Sequence, residues 1–545
     1  MTTQTSTTTV STVTPTSLPP PAMKYKRVTS EPENPFSKLV NNQIIAIVPE
    51  VELECGDVLH NVPVAYKTWG ELNAARDNVM VICHALTGSS DVSDWWGPLL
   101  GPGRAFDPTK FFIICLNSLG SPYGSASPCT LNPDTGEYYG PEFPLVTVRD
   151  DVRIHRLILD DLGITSIAAV IGGSMGGMLV LEYAYYGPEY VRLIVPLATS
   201  PSHSAWGISW GETQRQSIYS DPKYNEGYYS FDDPPIVGLG AARMAAMLTY
   251  RSRNSFETKF GRKVPDPNDR RVVTNNTHIR EPSSNLELNW ALHNHGNIHG
   301  KKLASPQQSP ASLSPSNSAT SIPALEPAAG AVQLSPSPSS DADSDSNSTV
   351  VTSATVESQE TAITQPSAPS SPVASTIPLN GPIGNRKKNS LNSFFAAQSY
   401  LRYQGSKFVQ RFDANCYIAI TRKLDSHDVS RGRGDDIDRA LAMIKQPTLV
   451  IGISSDGLFT FSEQQRIAQH IPNAVLKEIR SPEGHDAFLL EFAEINRLIV
   501  DFLKEQLPDI LNREGIPWKE EEIGTIGKSS LFGEAETDDL DVVSW

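Results

Sequence analysis

Residues 168–184 read AAVIGGSMGGMLVLEYA, and this stretch decides the predicted fold. An apolar run typical of a buried strand leads into Gly-Gly-Ser-Met-Gly-Gly, and a helix-favouring run follows. Ser174 therefore sits in the pattern G-x-S-x-G at a strand-to-helix junction, where the turn is so sharp that only small neighbours fit. Such a turn exposes the hydroxyl beside the free N–H groups of a helix N-terminus. The alternative interpretation is a glycine-rich turn with a solvated serine.

Strands and helices alternate on both sides of this junction. Strand-like apolar runs occupy 78–86, 110–119, 166–173, 191–200, 446–456 and 474–481, and helical patterns occupy 146–164, 174–188, 460–471 and 486–507. Ser462 is the predicted N-cap of the helix at 460–471. The alternation predicts an α/β fold with a mostly parallel sheet and helices on both faces.

Composition divides the chain into five predicted parts. They are a disordered N-terminal tail (1–34), the first part of the α/β core (35–202), a helical lid (203–440), the second part of the core (441–511) and an acidic C-terminal tail (512–545). The lid contains a Ser- and Pro-rich insert at about 265–391, which has almost no aromatic residues and no helical or strand period. We therefore expect the insert to be disordered.

Charge and cysteine usage restrict the partners and the compartment. The formal net charge of −16 disfavours nucleic acid and anionic membranes, because both attract clustered Lys and Arg. No apolar run approaches the roughly 18 residues of a membrane span, and the N-terminal residues lack the apolar run of a secretory signal. The five cysteines form neither a CxxC motif nor a disulfide framework. We expect a reducing, cytoplasmic compartment.

A nucleophilic serine needs a base and an acid that orients the base. On this type of sheet the order along the chain is serine, acid, histidine. Asp456 ends the strand-like run at 446–456, and His485 follows the next strand-like run. Taken alone, Asp456 reads as a turn residue and His485 as a helix N-terminal residue. Their order and positions together predict a Ser174–His485–Asp456 triad.

The oxyanion hole requires two N–H donors near the nucleophile. We expect the N–H groups of Met175, directly after the serine, and of Leu86, in the loop HALTGSS, to supply them. His84 lies in the same loop but precedes the nucleophile in the chain, so we expect it to shape the loop and not to act as the base.

No metal or permanently bound cofactor is predicted. His293, His295 and His299 cluster in HNHGNIHG, but no carboxylate or cysteine joins them. The chain also lacks G-x-x-x-x-G-K-[ST] and G-x-G-x-x-G, so neither nucleotide-binding fingerprint supports ATP or NAD.

Longer motifs carry a more specific resemblance. YKTWGELN, VICHALTGSSDVSDWWGPLLGPGRAFD, IGGSMGGM, ARMAAMLTYRSRNSFETKFGR, FDANCYIAITRKLDSHD and SPEGHDAFLLE are the motifs concerned. Together they resemble the homoserine O-acetyltransferase family of the α/β-hydrolase superfamily, in its long eukaryotic form. The resemblance covers about 35–505, and the insert is its departure from shorter members.

The resemblance implies acetyl transfer from acetyl-CoA, as cosubstrate, to the hydroxyl of L-homoserine, a step toward methionine. By matching motif, Ser174 would be the nucleophile, His485 the base and Asp456 its partner. Arg243 and Tyr250 would bind the substrate, and Asp486 would hold its amine. These charges suit an amino acid, because a guanidinium pairs with a carboxylate and a carboxylate pairs with an ammonium group. The resemblance also allows for a homodimer.

Three rival functions stay open at this point. A serine O-acetyltransferase on the same scaffold would differ by one methylene in the acceptor, which a pocket distinguishes by only about 1–3 kcal/mol. A plain esterase would use water as the acceptor. A non-enzymatic scaffold would use the Ser- and Pro-rich insert to dock partners, but the ordered triad argues against it.

Deleting residues 305–385 should leave activity and thermal stability nearly unchanged, because a disordered insert contributes few packed contacts. Melting curves and acetyl-transfer rates of the deletion variant check this, and limited proteolysis should cut the intact chain there first. A large fall in melting temperature on deletion would contradict the interpretation.

Overall fold

The computed structural model describes residues 23–264, 285–297 and 395–518. These residues form one nine-stranded sheet with the strand order β1-β2-β3-β5-β4-β6-β7-β8-β9. The strands are β1 (Lys26–Val28), β2 (Ile44–Glu52), β3 (Val58–Trp69), β4 (Val79–Cys83), β5 (Phe112–Leu116), β6 (Ile167–Gly173), β7 (Ile194–Leu197), β8 (Thr448–Ile453) and β9 (Ala474–Ile479). From β5 to β9 every neighbouring pair is parallel, which confirms the predicted sheet.

Helices cover both faces of the sheet and its carboxyl edge. They are α1 (Val92–Trp95), α2 (Val148–Asp161), α3 (Met175–Ala184), α4 (Ala205–Tyr219), α5 (Ile236–Tyr250), α6 (Arg253–Lys259), α7 (Asn285–His293), α8 (Ala396–Phe408), α9 (Ala414–Asp425), α10 (Ile437–Ala442), α11 (Phe461–His470), α12 (Phe492–Gln506) and α13 (Pro508–Leu511). Helices α4 to α10 all fall between β7 and β8, in the segment predicted to be the lid. Among the described residues, no helix has both the length and the apolar character that a membrane crossing requires.

The sheet separates two apolar cores because side chains alternate along each strand. In β4, Val79 and Val81 pack with α2 and α3 on one face, whereas Met80 and Ile82 pack with α12 on the other. All five residues of β4 are buried. This double burial explains why the central strands read as continuous apolar runs.

Two predicted boundaries differ from the observed ones. Residues 26–28 form the edge strand β1, which pairs with β2, so the predicted tail at 1–34 is wrong from β1 onward. Helix α7 lies inside the predicted disordered insert at 265–391. Most of that insert, the first 22 residues and residues 519–545 of the predicted acidic tail lie outside the described residues.

Two local predictions are also corrected. The N-cap of α11 is Thr460 and not Ser462, because Thr460 forms a capping box with Glu463. The closing helix starts at Phe492 and not at residue 486. A 3-10 helix at Gly484–Leu489 precedes it, so His485 and Asp486 lie on a turn that is tighter than an α-helix.

A fully buried ion pair joins the lid to the core. The Nζ of Lys423, on α9, lies 2.5 Å from Oδ2 of Asp151, on α2, and donates to the Leu119 carbonyl at 2.7 Å. Oδ1 of Asp151 accepts the Leu119 N–H at 2.8 Å. Burial raises the pKa of Asp151 and lowers that of Lys423, and each ion favours the charged form of the other. Removing either partner would therefore leave an uncompensated buried charge.

Lys423→Met should lower the free energy of unfolding by about 3–5 kcal/mol, because Asp151 stays buried without its counterion. Chemical denaturation of the variant and the parent measures this difference. The matched control is Arg497→Met, which breaks an exposed pair with Glu494 and should cost about 1 kcal/mol or less. Equal losses in the two variants would mean that the buried pair does not tie the lid to the core.

Candidate active site

Ser174 occupies a strained turn between β6 and α3. Its backbone angles are φ 58° and ψ −127°, a combination that non-glycine residues rarely adopt. The turn is fixed from β7, because the Ser174 N–H donates to the Leu197 carbonyl at 3.0 Å. The Thr199 hydroxyl donates to the Ser174 carbonyl at 2.8 Å. The strained turn thus places the Ser174 hydroxyl at the carboxyl edge of the sheet.

The glycines around Ser174 are required by the close approach of three backbone segments. A Cβ on Gly176 would lie 2.2 Å from the Cys83 carbonyl oxygen, and a Cβ on Gly172 would lie 2.6 Å from the Gly176 carbonyl oxygen. Backbone atoms at these distances cannot move away from an added Cβ without displacing β4 or α3. The glycine-rich pattern is therefore a consequence of packing α3 directly against the end of β4.

The predicted triad is assembled. Nε2 of His485 lies 2.9 Å from Oγ of Ser174, and Nδ1 lies 2.7 Å from Oδ2 of Asp456. The other oxygen of Asp456 accepts the N–H groups of Leu458 and Phe459 at 2.8 and 3.0 Å. Because the carboxylate accepts from Nδ1–H, Nε2 is left to accept the serine proton. All three side chains are buried, which shields the contacts from bulk water.

Aromatic rings fix the imidazole of His485 on several sides. Its centroid lies 5.2 Å from that of Phe488, 5.3 Å from Phe459 and 6.2 Å from Tyr250. Phe459 follows the triad aspartate, Phe488 shares the histidine's turn, and Tyr250 comes from α5 of the lid. Core and lid together thus orient the histidine.

The triad opens into a cavity of about 850 Å³, including its mouth. Core residues of the wall include Leu86, Ser174, His485 and Asp486, and the lid supplies further wall residues. The lid contributes His203, Gly207, Trp210, Gly211, Gln214, Thr249, Tyr250, Thr421 and Leu424. Among the predicted site residues, the cavity therefore brings Leu86, Tyr250 and Asp486 together with the triad.

Comparison with known proteins assigns the chain to a family. Residues 78–298 match the alpha/beta hydrolase fold family. The homoserine O-acetyltransferase of Ascobolus immersus is 54% identical over 546 residues, which cover 96% of this chain and 98% of that protein. The chain belongs to the homoserine O-acetyltransferase family.

Solved structures in and around this family show the same fold. The homoserine O-acetyltransferase of Bacillus anthracis has a TM-score of 0.57 at 19% identity, over 88% of this chain and 99% of that one. An acetylester hydrolase of Corynebacterium glutamicum also has a TM-score of 0.57 at 19% identity, over 86% of this chain and 99% of that one. These likenesses show the α/β-hydrolase fold, which confirms the predicted fold class.

The two predicted oxyanion donors, Met175 and Leu86, come from different segments of the core. Met175 is the first residue of α3, so its N–H is one of the four at a helix start that have no partner within the helix. Leu86 lies on the cavity wall, in the loop after β4. Arg411, which sequence reasoning missed, donates from the lid to the Thr87 carbonyl of that loop at 3.1 Å. The lid therefore helps to set the position of the Leu86 loop.

His84 is engaged in the packing of the same loop. Its Nε2 accepts the Ser118 N–H at 2.9 Å, so Nδ1 carries the proton and donates to the Ala85 carbonyl at 2.8 Å. Burial lowers the pKa of His84 to about 4. Its two ring nitrogens are thus committed to backbone groups, in agreement with the predicted role in shaping the loop.

Arg243 is buried beside the cavity and is not one of its wall residues. Its guanidinium carbon lies 4.7 Å from the ring centre of Phe408 and 5.5 Å from that of Tyr250. Tyr250 itself does line the cavity. The predicted carboxylate-binding role of Arg243 stays a prediction, and the structure adds that Arg243 supports Tyr250 through ring contacts.

Asp486 faces the cavity and forms an ion pair that the sequence did not predict. Its Oδ2 lies 3.3 Å from Nε of Arg251, the residue directly after α5, and both side chains are almost completely buried. Arg251 also binds Glu483 and Ser255. The sequence signal that could have found Arg251 is its place directly after Tyr250 in ARMAAMLTYRSRN. Its partner Glu483 lies 232 residues further along the chain, so no local motif connects the two.

The described candidate metal ligands, His293 and His295, are not among the residues that line the cavity. His293 and His295 are described, and Arg402 lies 3.1 Å from Nδ1 of His295; His299 lies outside the described residues. Within the described residues a buried group of Cys129, Asp413 and Cys416 has ligand-type spacing. Burial raises the pKa of both thiols. Their sulfur atoms lie 3.5 Å apart.

Gly484→Ala should reduce acetyl transfer by about tenfold or more, because it strains the turn that carries His485. Gly484 has a φ of +73°, and an added Cβ would lie 2.4 Å from the Ser252 nitrogen and 2.8 Å from the Arg251 carbonyl carbon. Steady-state rates and melting temperatures of the variant measure the effect.

Gly457→Ala is the matched control for this prediction. Gly457 adjoins Asp456 but has open space around its missing Cβ, so its rate should stay within about twofold of the parent. Equal losses in both variants would show that the lid contact at Gly484 does not matter for catalysis.

Proposed function

We propose that the chain transfers an acetyl group from acetyl-CoA to the hydroxyl of L-homoserine, through an acetyl-enzyme on Ser174. Membership of the homoserine O-acetyltransferase family supports the reaction class. The observation that carries the proposed mechanism is the contact of Nε2 of His485 with Oγ of Ser174 at 2.9 Å, inside a cavity that also contains Asp486. No permanently bound cofactor takes part in this proposal.

In the first half-reaction Ser174 attacks the thioester carbonyl. His485 accepts the hydroxyl proton as the C–O bond forms, and Asp456 stabilises the imidazolium. The N–H groups of Met175 and Leu86 are proposed to hold the oxyanion, helped by the N-terminal dipole of α3. When the tetrahedral intermediate collapses, the C–S bond breaks and His485 returns the proton to the departing thiolate of CoA.

In the second half-reaction the acceptor attacks the acetyl-enzyme, and His485 again acts first as base and then as acid. After CoA leaves, the acceptor enters the same cavity, and His485 removes the proton of its hydroxyl. The acceptor oxygen forms a bond to the acetyl carbon, and the bond between that carbon and Oγ of Ser174 then breaks. His485 returns the proton to Oγ of Ser174. The products are O-acetyl-L-homoserine and regenerated enzyme.

Each charged end of the acceptor is assigned a partner of opposite charge. Arg243 is proposed to hold the carboxylate, beside Tyr250, and Asp486 is proposed to hold the ammonium group. Water has neither charge, so this arrangement favours an amino-acid acceptor over an esterase reaction. Serine would present the same charges with one methylene less, so discrimination against it depends on the depth of the cavity.

The cellular role remains a proposal. The reaction supplies an activated homoserine ester for methionine biosynthesis, and the cysteine usage favours a cytoplasmic location. A homodimer is retained as a proposal from the family resemblance. The rival functions are serine acetylation on the same cavity and ester hydrolysis.

Ser174→Ala should abolish acetyl transfer without unfolding the protein, because no other group in the triad can carry the acetyl group. With acetyl-CoA alone, mass spectrometry of the parent should show an adduct of about 42 Da on Ser174, the mass of an acetyl group. The adduct should disappear when homoserine is added, and it should persist longer with serine or buffer.

Ser200→Ala provides the control, since Ser200 is buried near the cavity but bonds the Ser202 carbonyl and not the triad. It should keep both the adduct and its turnover. A parent-like rate in Ser174→Ala would refute the mechanism, faster turnover with serine would reassign the acceptor, and equal turnover in buffer would identify an esterase.

A further inference from the structure

Arg251 connects the lid to both acidic residues of the turn that carries His485. Its Nε lies 3.3 Å from Asp486, which is one residue after the histidine. Its Nη1 donates to Glu483, which is two residues before the histidine. The Arg251 side chain is only 3% exposed. A single guanidinium therefore spans the turn from one side of His485 to the other.

The arginine is itself held by the lid. Nη1 also reaches the Ser255 hydroxyl at 3.4 Å, and Tyr400 from α8 is close enough to favour the charged form of the guanidinium. Burial opposes the charge of Arg251, but Asp486, Tyr400 and Glu483 hold its pKa above the usual value. The guanidinium is thus a fixed, charged group whose position α5, α6 and α8 determine together.

The backbone beside Arg251 presses on the same turn. The Ser252 hydroxyl donates to the Pro482 carbonyl, and the Gly484 Cα fits against the peptide between Arg251 and Ser252. Lid and turn are therefore in contact through a backbone surface and through charge. The backbone contact joins the two segments in addition to the buried charges.

We propose that Arg251 is a positioning residue for the acceptor half-reaction, which keeps Asp486 ionised and aimed into the cavity for the acceptor's ammonium group. The inference rests on the proposed function, because it takes Asp486 as the ammonium partner. Arg251 does not line the cavity, and it acts through Asp486.

Counting charges shows why the arrangement suits a cation. Two carboxylates, Asp486 and Glu483, share one guanidinium, so the group carries one net negative charge. A carboxylate with 2% side-chain exposure would take up a proton without its counterion, because burial disfavours the ionised form. With Arg251 present, the remaining negative charge faces the cavity, where an ammonium group can neutralise it.

The groups that face Asp486 come from several elements. Arg251 follows α5, Tyr250 ends α5, and Glu483 and His485 belong to the turn itself. Tyr400 acts through Arg251 from α8. Among these described groups Arg251 supplies the permanent positive charge, so its removal should favour the protonated form of Asp486.

The test separates the two half-reactions in Arg251→Met. The burst of CoA release with acetyl-CoA alone should stay within about threefold of the parent, because donor attack uses the triad and the oxyanion donors and not the Asp486 carboxylate. The homoserine concentration for half-maximal deacetylation should rise about 100-fold, as expected when a buried charge loses its partner. Arg251→Lys should recover a substantial part of this loss, since the charge is kept.

The pH profile gives a second readout that a merely structural role would not produce. In Arg251→Met the pKa of Asp486 should rise, because the carboxylate stays buried without its counterion. The rate of the acceptor step should then fall as pH drops and partly recover as pH rises. The donor burst should show only the limb that His485 causes. Arg251→Lys should show no added limb.

The matched control is Arg215→Met, which removes another buried lid arginine, paired with Asp425 at 2.8 Å and Glu212 at 2.9 Å, neither of which belongs to the His485 turn. It should lower the melting temperature while the ratio of the two half-reactions stays at the parent value. If Arg251→Met gives an insoluble protein, Arg251→Lys carries the same comparison with a smaller expected shift.

The outcomes are distinguishable from failure of the proposed function. A parent protein that shows no acetyl adduct would refute the function before any arginine is changed. A normal parent, with Arg251→Met slowing burst and deacetylation equally, would mean that Arg251 positions His485 and would overturn the inference. Unchanged homoserine dependence in Arg251→Met would overturn it as well.

Discussion

The close approach of α3 to the end of β4 is the constraint on which the site depends. The Gly176 backbone lies against the Cys83 carbonyl, so the chain between β6 and α3 has room for one tight turn. That turn places Ser174 in a backbone conformation with φ 58°. The next residue after Cys83 is His84, whose ring bonds then direct the loop with Leu86 around the serine. Nucleophile and proposed oxyanion donors thus arise from one packing contact.

Three cationic side chains of the lid bond it to the core. Lys423 reaches Asp151 and the Leu119 carbonyl, Arg411 reaches the Thr87 carbonyl, and Arg251 reaches the turn with His485. Each cation bonds a different segment at or below the carboxyl edge of the sheet. Long side chains with several donors suit this task, because backbone carbonyls in loops need partners when a lid buries them. The lid is therefore bonded to the loops that shape the site.

Local pattern was enough to predict the sheet, the nucleophile turn and the order of the triad. Ser174, Asp456 and His485 each follow a strand, and parallel strands bring their carboxyl ends to one edge, so chain order implies proximity. The sequence does not reveal the 3-10 helix at Gly484–Leu489, because its apolar residues Ala487, Phe488 and Leu489 run directly into the apolar pattern of the helix that follows. Ser462 was preferred as a cap because it precedes the helical pattern closely, whereas Thr460 gains the reciprocal bond with Glu463.

The partners of the lid cations could not be predicted in the same way. Arg251 and Glu483 are 232 residues apart, and Lys423 and Asp151 are 272 apart. No period or motif connects such pairs, because their meeting depends on how the lid folds back on the sheet. A family resemblance supplied the roles of Arg243, Tyr250 and Asp486 but not their surroundings. The structure shows that Arg243 lies off the cavity wall, against the ring of Tyr250.

The surroundings of the triad also bear on why a transferase would use this scaffold, which esterases share. An acetyl-enzyme that waits for an acceptor must be protected from water, whereas an esterase must admit it. Here Phe459, Phe488 and Tyr250 surround His485, and the Ser174 residue is only 8% exposed. Water and an amino acid reach the imidazole through the same cavity, but only the amino acid carries charged ends that the proposed ion pairs can hold. The difference between the two reactions is therefore expected to reside in the lid and the His485 turn, and not in the triad.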